Sequence, residues 1–143
     1  MFIGSYYHHL EEQGRLSLPK KFREQVSAWV ITRGLDGGLF LLPANDFEAE
    51  IEKIAQLSFH KKNNRDLLRL LSNEASELEA DENGRVYLPK YLIDFAQLRK
   101  EVVVLGSGRY LEIWDRDRYH QYIDGVEAQA SEISEAVEVE EEK

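Results

Sequence analysis

Two arginines offer the most definite chemistry in this sequence. Arg15 and Arg85 each follow a glycine, in Glu11-Glu12-Gln13-Gly14-Arg15-Leu16-Ser17-Leu18-Pro19-Lys20 and in Asp81-Glu82-Asn83-Gly84-Arg85-Val86-Tyr87-Leu88-Pro89-Lys90. A guanidinium on a rigid turn is a planar fork of donors. It suits a phosphate or a guanine edge, either of which it grips with two bonds. Lys20, Lys21, Arg23 and Lys90 follow closely and can add phosphate contacts, although a solvated helix face explains them equally well. The plain alternative for each arginine is an exposed ion pair worth about 0–1 kcal/mol. The duplication weighs against that alternative.

Other constellations carry less. Glu11, Glu12, Asp81 and Glu82 are candidates for orienting the arginines. As acid/base pairs they lack a neighbouring pocket or nucleophile, so no catalytic residue is assigned. His8 and His9 are adjacent, and adjacent strand residues point to opposite faces; with His60 and His120 scattered, no metal site is implied. Gly106-Ser107-Gly108-Arg109 has the composition of a phosphate loop, but it joins two strands instead of opening a helix. It is expected to be a hairpin turn, and no cofactor is implied.

The elements that position the arginines repeat with them. Asn-Gly is a strong hairpin signal because a type I′ turn needs positive φ at both central residues. Gln13-Gly14 is a weaker form of it. In a two-residue turn Glu12 faces Arg15 and Glu82 faces Arg85. Leu16 and Leu18 alternate with Arg15 and Ser17, as Val86 and Leu88 do with Arg85 and Tyr87. That is the period of a half-buried strand with the arginines on the solvent side. Pro19 and Pro89 end the strands and suit the start of a helix. Each copy is therefore expected to run strand, tight turn, strand, proline, short helix, the helices over 20–25 and 90–95. Two copies suggest a duplicated unit with approximate two-fold symmetry.

The flanking chain repeats more loosely. Strands are expected at 6–10, 29–32 and 39–42, then at 75–81, 102–105 and 110–114. Asn45 and Glu48 have capping-box spacing before a helix carrying Phe47, Ile51 and Ile54 on one face. A polar linker over 60–64 precedes a second helix at 66–71. Asp115 or Asp117 is placed to cap a last helix with Tyr119, Tyr122, Ile123 and Val126 on one face.

The 143 residues bound the chain to one domain or two very small ones, and there is no cysteine for a disulfide or a zinc–thiolate site. The N-terminal residues lack the pattern of a signal peptide, and no apolar run reaches spanning length. A soluble, cytoplasmic protein without membrane contact or small-molecule substrate is expected. The net charge of −9 looks wrong for a nucleic-acid partner, yet residues 127–143 hold seven acids and one lysine, −6 of the total. Residues 11–25 carry a balance of +1. The acidic segment 127–143 is expected to fray from a helix into a disordered tail.

A Gly-Arg turn with an acid four positions before the arginine and a proline four after it, present twice, resembles the MraZ family. The likeness covers residues 1–119. It implies an α+β fold of duplicated swapped-hairpin, AbrB-like β-barrel units with pseudo-two-fold symmetry and flanking helices. On that basis the chain divides into a first half, 1–72, a second half, 73–126, and the tail. The resemblance also implies a bacterial transcription regulator in the nucleoid, a ring-like homo-oligomer binding double-stranded DNA at short direct promoter repeats of the division and cell-wall gene cluster. It places the acid-x-x-x-Arg motif on Glu11/Arg15 and Asp81/Arg85; Glu11 stands where Asp is usual and Gln13 where Lys is frequent. A swapped arrangement can also bring the acid from the other half. The rival reading is an antitoxin-like protein-interaction module whose acidic tail captures a partner.

Overall fold

The computed structural model describes residues 1–142, with side chains through residue 137. Eight strands and six helices follow in the order β1 (Phe2–His9), β2 (Arg15–Ser17), α1 (Lys20–Arg23), β3 (Trp29–Arg33), β4 (Leu39–Pro43), α2 (Ala44–Ala55), α3 (Lys62–Ser72), β5 (Ser76–Leu78), β6 (Arg85–Tyr87), α4 (Lys90–Ala96), β7 (Glu101–Gly108), β8 (Leu111–Asp115), α5 (Arg116–Glu127) and α6 (Ala130–Glu142). The fold is α+β. Six strands form one antiparallel sheet in the order β1-β7-β8-β4-β3-β5, and β2 pairs with β6 in a separate two-stranded ribbon.

The pairing departs from simple hairpins around the two Gly-Arg turns. β1 enters the first turn but pairs with β7 along its whole length. β5 enters the second turn but pairs with β3. The outgoing strands pair with each other, Arg15 opposite Tyr87, Leu16 opposite Val86 and Ser17 opposite Arg85. Two further bonds are reciprocal: the Leu18 N–H donates to the Gly84 carbonyl (3.2 Å), and the Leu88 N–H to the Gly14 carbonyl (2.8 Å). Neither copy satisfies its backbone alone, and buried peptide groups need partners.

The period-two pattern explains the core. Leu16, Leu18 and Phe22 lie buried with their counterparts Val86, Leu88 and Leu92 in one cluster with Trp29, Ile31, Leu41, Val102 and Ile113. Phe2 and Tyr6 meet the Phe22 ring edge-on at 5.3 and 5.0 Å. Each such side chain, fully buried, contributes about 1.5–3 kcal/mol. Pro19 and Pro89 stand one residue before α1 and α4 with φ of −52° and −60°, values their rings impose. α2 and α3 pack on each other and on β3 and β4, while α5 packs on β7 and β8.

Three local expectations change. Asn45 lies inside α2, which begins at Ala44 with no side-chain cap. The segment 60–64 is a linker only in part, because α3 begins at Lys62. Residues 106–108 belong to β7; the hairpin closes where the Ser107 N–H donates to the Tyr110 carbonyl (3.0 Å). Gly106 is there because β1 runs too close for a side chain, since any Cβ would meet the Ile3 backbone. Within the acidic segment α6 spans Ala130–Glu142, and alanine and glutamate are strong helix formers. Asp115 does cap α5, accepting from the Arg118 N–H at 3.2 Å. No described helix is long and apolar enough to cross a membrane.

Candidate nucleic-acid interface

The two Gly-Arg turns share the glycine conformation and the closing bond, although Gln13 has positive φ (63°) and Asn83 does not. Gly14 and Gly84 have φ of +77° and +75°, a region glycine enters without steric cost. The Glu11 N–H donates to the Arg15 carbonyl and the Asp81 N–H to the Arg85 carbonyl, both at 2.8 Å. Each loop thus holds three residues, 12–14 and 82–84, and the acid facing each arginine is Glu11 or Asp81. A two-residue loop would set Glu12 and Glu82 opposite the arginines; the three-residue closure sets Glu11 and Asp81 there. The Glu12 carbonyl, not its carboxylate, accepts from Arg15 Nε at 3.1 Å. Among the described residues neither the Glu12 nor the Glu82 carboxylate joins an ion pair.

The two acids act differently. Asp81 accepts from the backbone N–H groups of Asn83 and Arg85, both at 2.9 Å, and from Arg85 Nε at 3.2 Å. The Arg85 N–H above all, then the Asn83 N–H and the Arg85 charge, hold its carboxyl below the usual aspartate range against the opposing effect of desolvation. Glu11 is one methylene longer and reaches across to the other copy. Its Oε2 lies 3.3 Å from Arg85 Nη1 and 4.0 Å from Arg15 Nε. One carboxylate therefore stands between the two guanidiniums. The glutamate in the first copy gains a reach that an aspartate lacks.

Strand pairing sets the arginines side by side. Leu16 and Val86 point into the core, so their neighbours occupy the outer face of the ribbon. That face is a plate of four residues, with Arg15 and Arg85 on one diagonal and Ser17 and Tyr87 on the other. Both guanidinium side chains are partly covered, at 29% and 22% exposure, and both reach solvent on this one surface.

The remaining cations divide. Lys20 and Lys90 extend into solvent at 75% and 88% exposure, loosely paired with Glu24 (3.7 Å) and Asp94 (3.2 Å). Lys21 is exposed, its ammonium 6.0 Å from the Tyr6 ring centre. Arg23 contacts the chain itself. Its Nη1 donates to the Asn83 carbonyl (3.4 Å) and the Leu18 carbonyl (3.5 Å), and the guanidinium lies against Gly84. Its counterpart Ile93 holds the same place beside Gly14. Ser17 and Tyr87 were not singled out from the sequence. The signal was present in the alternation, which set an aromatic ring on the solvent side of a strand.

A family model described as "MraZ protein, putative antitoxin-like" matches the chain twice, over residues 1–70 and 71–139. The second match runs into the acidic segment, well beyond residue 119, where the motif-based likeness ended. The transcriptional regulator MraZ of Pediococcus pentosaceus is 40% identical over 136 residues, covering 94% of this chain and 95% of that protein. The protein of the same name from Carboxydothermus hydrogenoformans is 39% identical with the same coverage. That from Halothermothrix orenii is 37% identical over 139 residues, covering 96% and 97%.

Proposed function

The chain belongs to the MraZ family, and we propose that it is a transcriptional regulator, not an enzyme, that binds double-stranded DNA through the outer face of the β2–β6 ribbon. The observation that carries this reading is the meeting of Arg15 and Arg85 on one surface, joined through Glu11. On this reading the copies are interleaved swapped-hairpin, AbrB-like units, a first half over 1–72 and a second over 73–126, related by a pseudo-two-fold axis between β4 and β8. The reciprocal Leu18–Gly84 and Leu88–Gly14 bonds support it.

The arginines bind phosphate or guanine edges, with Lys20, Lys21 and Lys90 lying along the flanking phosphates. Each neutralised phosphate adds a slope of about −0.9 in log affinity against log salt. One chain offers a single plate and binds weakly. A ring-like homo-oligomer set against short direct repeats in its own promoter, ahead of division and cell-wall genes, multiplies affinity by roughly 10²–10⁴ through effective concentration. The working location is the nucleoid of the cytoplasm.

The test is a gel-shift titration of Arg15→Ala and Arg85→Ala on DNA from immediately upstream of the chain's own gene. Both variants are expected to lose specific binding while keeping a cooperative melting transition. Unchanged affinity in well-folded variants would overturn the reading.

A second reading, a protein-interaction arm, is favoured by one observation. Ile133 and Val137 lie one turn apart on α6 and are 41% and 49% exposed. A basic partner that co-purifies with the full chain and is lost on removing residues 127–143 would support it.

A further inference from the structure

The four-residue plate would be symmetric but for one difference. Ser17 and Tyr87 occupy equivalent places in the two copies, and the arginines beside them are identical. Arg15 therefore faces a tyrosine across the ribbon while Arg85 faces a serine. Directly opposed side chains have Cβ atoms about 4.5–5.5 Å apart. Arg85 is also Tyr87's same-face neighbour along β6, so Tyr87 is adjacent on the plate to both arginines.

Tyr87 is 45% exposed, although its strand neighbours Val86 and Leu88 are buried. A half-exposed aromatic ring on the same face as two cations offers an apolar surface beside them. The arginines are likewise unequal. Arg85 is held by two carboxylates, at 3.2 and 3.3 Å; among the described residues Arg15 has the Glu11 carboxylate at 4.0 Å and the Glu12 carbonyl.

We propose that Tyr87 is a specificity-determining residue of the DNA-reading surface, its ring packing on an apolar base edge beside the arginine contacts and giving the plate a direction along the duplex. The proposal rests on the reading of the ribbon as a DNA interface. It deepens that reading, because two arginines on one diagonal are alike in residue type and do not by type give the plate a direction. Apolar atoms at base edges, the thymine methyl above all, distinguish one base pair from another without any charge contact.

The test compares Tyr87→Ser, Tyr87→Phe and the exchanged pair Ser17→Tyr/Tyr87→Ser. The probes are a duplex from immediately upstream of the chain's own gene and a scrambled duplex of equal length. Tyr87→Ser is expected to lower the ratio of specific to non-specific affinity roughly tenfold, the order of one lost base-edge contact, with the salt slope unchanged. Tyr87→Phe is expected to keep the ratio, because the ring and not the hydroxyl makes the contact. The exchanged pair is expected to recover much of the loss, since it restores one ring and one serine to the plate. An unchanged ratio in Tyr87→Ser, while Arg15→Ala abolishes specific binding, overturns the proposal and leaves the DNA reading intact. Intact binding in both arginine variants overturns the DNA reading itself. A change of salt slope in Tyr87→Ser would show a charge effect and also overturn the proposal.

Discussion

Alanine at the two turn glycines separates what the turns share from what they do not. Both glycines have φ near +75°, and a side chain there costs about 1–2 kcal/mol from backbone strain alone. The neighbours then differ. A Cβ on Gly14 would lie 2.6 Å from the Leu88 carbonyl oxygen. That atom is backbone, on the residue whose N–H bonds Gly14, so relief requires the ribbon ends to part. Stretching that bond adds about 1 kcal/mol, and Gly14→Ala is expected to lose about 2–3 kcal/mol in all. The three atoms nearest a Cβ on Gly84 all belong to the Arg23 guanidinium, the far end of a flexible side chain. Arg23 can swing away by giving up its 3.4 and 3.5 Å bonds. A double-mutant cycle follows from this. Gly84→Ala and Arg23→Ala are expected to couple by about 1 kcal/mol, and Gly14→Ala and Arg23→Ala by less than about 0.5 kcal/mol. Urea titrations at constant m-value measure both, and melting points should fall by roughly 2–5 °C per kcal/mol. Equal coupling in both cycles, or a neutral Gly84→Ala, would refute the reasoning.

Three more outcomes follow from the same geometry. Asp81 is expected to titrate below ordinary aspartate in a carboxyl NMR titration; its depressed folded pKa means the clamp adds stability above the unfolded-state value and loses it as pH falls through the folded one. An ordinary titration there would mean the N–H bonds to Asp81 are not kept in solution. Glu11→Gln removes the charge between the arginines, so affinity for scrambled duplex at low salt is expected to rise several-fold with folding stability changed by less than about 1 kcal/mol; unchanged affinity would mean the plate does not touch DNA. Asp115 is 1% exposed, caps α5 and pairs with Arg99 at 3.2 Å, so Asp115→Ala should lose about 2–4 kcal/mol in urea unfolding, whereas a loss below about 1 kcal/mol would assign the cap no structural weight.

Local patterning carried much of this structure. The alternation at Leu16, Leu18, Val86 and Leu88 named buried residues, and the Asn83-Gly84 pair named a turn. Register across the chain was hidden. Nothing in the spacing of Glu11 and Arg15 reveals that Glu11 also reaches Arg85, because that contact depends on β2 choosing β6 instead of the end of β1. The same choice placed Tyr87 opposite Arg15. Loop length was hidden too, since two- and three-residue closures use the same glycine and differ only in which acid faces the arginine. Arg23 looked like one of four equivalent cations. Its task became visible only once the second turn stood beside the first helix.

The β2–β6 ribbon also sets an order of events during synthesis. Residues 15–17 find their strand partners only after residues 85–87 have left the ribosome. Closing a segment of that length costs roughly 4 kcal/mol of chain entropy before any ladder bond offsets it. A partly made chain thus displays its first arginine without the second. On the proposed reading, competence to engage a duplex then arrives late and all at once, and fragments released early carry little of it.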